Sequence, residues 1–152
     1  MSYPEKKKSK FANGKIKQHH KMQSIIINDK LKVVQGDDQI FRYIALDNCS
    51  LDMDTLEKMT KIGDTWNGTK LCANLIDVRK LFFVDTKTRE YAAAQYRPHV
   101  AGQAILIESR FSSYFANLFL KFSKPKVPTR LFTKEEEAIW WLKDQIKKKT
   151  NG

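Results

Sequence analysis

The chain has 152 residues, 41% of them hydrophobic, and a formal net charge of +11; it can bury one core, and two ordinary domains are excluded once a polar end is set aside. The charge is uneven, because residues 1–21 hold seven lysines against Glu5 and carry +6 of it. No apolar run approaches the roughly 18 residues a membrane span requires, and no apolar stretch follows the basic N-terminus as in a secretory signal, so the expected compartment is the cytoplasm.

Residues 1–23 are polar and basic, with Phe11 and Ile16 among the few sizeable apolar anchors. Too little apolar area is present to offset the entropy of ordering them, and a disordered tail is expected. Its lysines could contact nucleic acid electrostatically. His19 and His20 are adjacent but lack further ligands, so they imply no metal site.

The body opens with two β-prone runs, 24–35 and 39–46, around Gly36, Asp37 and Asp38, which reads as an antiparallel hairpin. Helical spacing then takes over at Leu51 or Met53, then Leu56, Met59 and Ile62, with Ser50 or Asp52 as cap and Gly63 as a stop. Residues 70–76 read as a buried central strand, and 81–84 as a short apolar patch. Asp85 and Thr86 stand at a helix start, the alanine-rich 89–96 continue it, and Pro98 limits it. Residues 101–107 form the next buried strand. Phe111, Tyr114, Phe115, Leu118, Phe119 and Phe122 then repeat at i, i+3, i+4, i+7, i+8 and i+11, one stripe of a helix that must be buried somewhere. A brief strand, 129–132, precedes a last helix through Ala138, Trp141, Leu142 and Ile146, opened by a Thr133/Glu136 capping box.

This order predicts an α/β fold: a mixed, mainly parallel central sheet with an N-terminal hairpin and about four helices. The expected division is a tail over 1–23, a single domain over 24–148 and a frayed C-terminus over 149–152. Cys49 and Cys72 form no Cys-x-x-Cys pair and read as reduced structural thiols.

Two stretches carry a resemblance to a known family. Asn74 to Thr86, NLIDVRKLFFVDT, is similar to the STAS (sulphate transporter and anti-sigma factor antagonist) pattern of a central strand, an aspartate, an apolar segment, and an aspartate with a hydroxyl residue at a helix N-terminus. Pro128 to Leu142, PTRLFTKEEEAIWWL, resembles the ending of the bacterial SpoIIAA-like relatives of STAS domains. The resemblance spans about residues 30–147. It implies a regulatory protein-interaction module in which the hydroxyl residue is phosphorylated by a partner kinase, a position corresponding to Thr86 beside Asp85. The family's small, glycine-containing motif is replaced here by Asp85-Thr86-Lys87-Thr88-Arg89, so neither Thr86 nor Thr88 is assigned as a kinase substrate, although the helix N-terminus, Lys87 and Arg89 would tolerate a phosphate there.

Catalysis is not expected. The sequence has no Gly-rich phosphate loop, zinc motif or nucleophile elbow, and His99 is the single histidine of the body. No catalytic, cofactor or metal residues are assigned. The first functional expectation is therefore docking of a protein partner around Asp85, Thr86 and Thr88. The second is binding of a lipid or other apolar ligand, or a membrane surface, through Phe111, Tyr114, Phe115, Phe119 and Phe122. The third is nucleic-acid or ribosome association through the basic tail.

Overall fold

The computed structural model describes residues 9–10, 16–17, 22–111, 113–114, 116–117 and 125–152. Two short strands in the basic segment, β1 (Ser9–Lys10) and β2 (Ile16–Lys17), pair antiparallel. There follow β3 (Gln23–Ile27), β4 (Leu31–Gln35), β5 (Ile40–Ala45), β6 (Cys49–Leu51), α1 (Met53–Asn67), β7 (Cys72–Asp77), β8 (Leu81–Val84), α2 (Thr86–Ala94), β9 (Val100–Leu106), β10 (Thr129–Phe132) and α3 (Glu135–Asn151). Six strands form the central sheet in the order β10-β9-β7-β5-β4-β3. From β10 to β5 neighbours are parallel, and the β5-β4-β3 side is antiparallel. The expected mixed, mainly parallel α/β sheet is present. The strands β6 and β8 pair parallel in a separate two-stranded sheet that sequence reading did not foresee.

The expected hairpin is a three-stranded meander, because residues 24–35 turn back on themselves. Asn28 and Asp29 take φ of 52° and 55°, and the Lys30 N–H donates to the Ile27 carbonyl at 2.9 Å. Two consecutive left-handed residues match a type I′ turn, the twist that suits a two-residue hairpin loop, and Asn and Asp accept it without glycine.

Asp52 is the N-cap of α1. It accepts from the Thr55 N–H at 2.8 Å and from the Thr55 hydroxyl at 2.7 Å. The helix runs through Gly63, where a stop was expected, and ends at Gly68 with φ 61°. Gly63 instead serves close packing: a Cβ there would stand 3.2 Å from the Tyr43 hydroxyl on the sheet. The Thr133/Glu136 capping box does not form. The last helix starts one residue later, with Lys134 at the N-cap, no side-chain cap bond, and Glu135, Glu136 and Glu137 supplying negative charge to its first turn.

Each sheet face is covered differently. Against one lies α3, whose buried Ala138, Leu142 and Ile146 pack with Ala101, Ala104, Leu106 and Phe132. Gly102 permits the closeness, since a Cβ there would lie 3.3 Å from the Trp141 ring. Over the other face lie α1 and α2. Leu56, Met59, Ile62 and Trp66 turn inward from α1, three of them against a cluster containing Phe41, Tyr43 and Val33. Of the expected fourth helix, the described part is a 3-10 turn at Ser109–Phe111 and helical residues 113, 114, 116 and 117. Phe115, Leu118, Phe119 and Phe122 lie outside the described residues.

Two measurements probe the Asp52 cap. Thr55 is completely buried, and its hydroxyl also accepts from the Asn28 amide at 3.0 Å. Thr55→Val removes both bonds and should lower the unfolding free energy by about 1–3 kcal/mol in urea titrations. The Lys30 ammonium at 2.7 Å, then the Thr55 hydroxyl and N–H, hold the Asp52 carboxyl well below its ordinary range. Its folded pKa is below its unfolded one, so its stabilising contribution is complete above about pH 4–5 and is lost as the pH falls toward the folded value. The acid limb of the stability curve should therefore be shallower in Asp52→Asn, and an unchanged limb would refute the assignment.

Candidate functional site

The sheet face under α1 and α2 is not filled. A cavity of about 280 Å³ lies there, floored by Phe41, Tyr43, Ile76 and Ile105 and walled by Met59 of α1 and Ala92 of α2. Its character follows from strand periodicity, because alternate residues of β5 and β7 face it, and in β9 a register shift leaves Ala101 and Gly102 both on the α3 side before Gln103 and Ile105 face the cavity. A polar row interrupts the floor. Asn74, Gln103 and Thr129 are register neighbours across β7, β9 and β10, and all three line the cavity. At the rim, Phe82, Phe83 and Tyr114 line the cavity while remaining 74%, 57% and 59% exposed.

The α2 N-terminus forms one end of this cavity. Asp85 is its N-cap and accepts from the Thr88 N–H at 2.7 Å. That N–H, then the Thr88 hydroxyl facing the carboxylate, then Lys87 and Arg89 lower the Asp85 pKa. The hydroxyl does not close a bond of normal geometry, and Thr88 Oγ1 and Arg89 Nε are buried without a partner. The expected site residues thus separate: Thr86 is exposed in the first helical turn, whereas Thr88 is 1% exposed and lines the cavity. Of the aromatic stripe, Tyr114 reaches the cavity, and Phe111 is 45% exposed with the Arg110 guanidinium 4.8 Å above its ring.

Other ionisable groups at the cavity have defined roles. Burial pushes the Cys72 thiol up to about 11 against the opposing effect of Arg97, which leaves it protonated at neutral pH. Burial, then Arg97, lowers the His99 pKa. Arg97 pairs with Asp64. Asp77 is held by Arg79 through bonds of 3.0 and 2.8 Å and does not join Asp85. A second cleft, on the α3 side, is lined by Arg42, Asp77, Arg79, Lys80 and Glu135. Its cations are paired, Arg42 with Asp38 at 2.7 Å and Lys80 with Asp47 at 3.2 Å. Among the described residues no group of three or more His, Cys, Asp or Glu side chains converges as a metal site, and no helix is long and apolar enough to cross a membrane.

A family model described as a domain of unknown function, DUF7793, matches residues 34–146. The chain belongs to the DUF7793 family. The matching model is DUF7793 and not a STAS model. The matched stretch contains both capped helices, all of α2 with Thr88 and Arg89, and most of the cavity lining; Leu31, also at the cavity, precedes it. The chain is also similar to a solved structure from Shewanella loihica PV-4, an uncharacterized protein from the DUF3478 family with a SpoIIAA-like fold. That likeness has 14% identity and a TM-score of 0.47, and covers 80% of this chain and 92% of the other. No curated protein matches the sequence.

Sequence reading placed Asp85 correctly as a cap and raised an apolar pocket beside the 111–122 segment, but it did not foresee that the sheet face under α1 and α2 forms the floor. A usable signal was present: Asn74 and Gln103 interrupt otherwise apolar strand segments at positions facing α1 and α2.

Asp85-x-x-Thr88 repeats the Asp52-x-x-Thr55 cap with its hydroxyl unspent, so valine should have the opposite effect here. Thr88→Val removes an unpartnered buried hydroxyl at constant shape and should raise the unfolding free energy of the ligand-free protein by about 1 kcal/mol. A loss comparable to that of Thr55→Val would show that the hydroxyl is satisfied in solution.

Proposed function

We propose that this chain is a non-enzymatic binding module that holds a small apolar ligand between its sheet and helices α1 and α2. The observation that carries this reading is the cavity, a space of about 280 Å³ lined by aromatic and aliphatic side chains inside the layer where a purely structural domain would be packed solid. Ligand pockets are concave and mostly apolar with a few polar groups, and this one, open at the Phe82 and Phe83 rim, has that character. The ionisable groups present favour binding over catalysis. Cys72 is a protonated thiol, and Asp64 and Asp77 are engaged by arginines.

A regulatory protein-interaction role is the second reading. It is favoured by the exposed Phe82, Phe83 and Tyr96. An apolar surface of this kind fits a protein partner. Of the two threonines, only Thr86 is exposed to a kinase, so a phosphorylation switch would act there. The two readings are compatible, since Phe82 and Phe83 line the cavity and face outward.

Titration with a neutral naphthylamine dye, whose fluorescence rises in apolar surroundings, tests the main reading. Saturable binding at one site per chain is expected, and Ile76→Phe, which fills the floor, should weaken it by about tenfold or more. Dye binding unaffected by that substitution in a folded protein would place the apolar site elsewhere and overturn the reading.

A further inference from the structure

An apolar cavity alone selects for size and greasiness. This one also has a polar end with specific unmet needs. Among the described residues, the buried side-chain nitrogen and oxygen atoms without a partner are Thr88 Oγ1 and Arg89 Nε. They belong to adjacent residues, and both residues line the cavity. A guanidinium can only donate, and a threonine hydroxyl can donate, so together they match a group that accepts two hydrogen bonds.

Charge narrows the class. Lys87 and Arg89 lie in the first turn of α2, where the helix dipole and unpaired N–H groups also favour an anion. Asp85 is the opposing acid, and its Oδ1 accepts from the Thr88 N–H. Arg89 spends Nη2 on no more than a 3.5 Å contact with the Thr86 hydroxyl. The rest of the cavity is mainly apolar, so the complement is a molecule with an apolar body and one anionic, hydrogen-bond-accepting end.

We propose that the ligand is an amphipathic carboxylate, with its chain in the cavity and its two oxygens received by the Thr88 hydroxyl and Arg89 Nε. This rests on the apolar-ligand reading above and adds the headgroup. Size follows from volume: a 150 Å³ cavity accepts benzene, so this cavity accommodates about eleven non-hydrogen atoms, an alkanoate of about eight to ten carbons. The cost of burying two unsatisfied polar atoms is met only when the headgroup arrives, which makes the polar end a selector for the ligand.

Isothermal titration of the full chain with decanoate and with 1-decanol tests the proposal, because the two share a chain and differ at the headgroup. Decanoate should bind at least about tenfold more tightly than decanol. Thr88→Val and Arg89→Met, checked for folding by circular dichroism, should each bring decanoate down toward decanol and leave decanol unchanged. Equal binding of the two by the wild type would overturn the headgroup assignment while sparing the cavity reading, and it does not depend on any variant folding. Binding of neither would overturn both.

Discussion

The parallel strands β5, β7, β9 and β10 must be buried on both faces, and most of the molecule is arranged around that demand. Parallel strands require crossover connections, and those crossovers are the helices that cover them. One face is closed by α3, whose Ala138, Leu142 and Ile146 meet small residues of β9 and an aromatic ring of β10. Gly102 and the alanines keep that contact close where the helix crosses β9. The opposite face receives α1 and the shorter α2, which do not meet over the sheet closely enough to fill it. The cavity is therefore a consequence of unequal coverage. It persists because the side chains beneath it, Phe41, Tyr43 and Ile105, are held by the same strands that α3 locks from behind.

Two helices over that face begin with the same local solution. Asp52 and Asp85 are N-caps, and each accepts from the N–H of a threonine three residues on. The difference lies in the second bond. Thr55 places its hydroxyl on Asp52 and also receives the Asn28 amide, tying α1 to the β3–β4 turn. Lys58 bonds to the same asparagine, and Lys30 to Asp52, so that corner is a closed network. The Thr88 hydroxyl, though beside Asp85, closes no such bond, and the adjacent Arg89 Nε is a second buried donor without a partner.

The parts of the fold that followed from local chemistry were legible. Continuous apolar runs located β7 and β9, alternation with helical spacing gave the mixed parallel sheet, and Asp85 was readable as a cap because aspartate before a helical segment satisfies free N–H groups. Boundaries that depended on tertiary contact were not. Gly63 looked like a stop, yet its role is to let α1 approach Tyr43, and the true terminus is Gly68. The meander was hidden because Asn28-Asp29 forms its turn without glycine. Strands β6 and β8 are too short, at three and four residues, for periodicity to register, and their pairing is set by chain segments 30 residues apart. The site was less legible than the fold, because a cavity is a shortfall of coverage between elements that each look complete in sequence.

That shortfall bears on how the molecule balances stability against function. Natural sequences agree across local propensity, packing and polar satisfaction, and departures from agreement concentrate where a structure does something besides fold. Here the departures coincide in space. The void, the unpartnered hydroxyl of Thr88 and the unpartnered Nε of Arg89 belong to residues of one region, while the Asp52 corner keeps satisfied bonds. Each departure destabilises the empty protein, the void through lost dispersion contacts and the polar atoms through desolvation without compensation. A ligand that filled the void and satisfied both donors, as proposed, would offset all three at once.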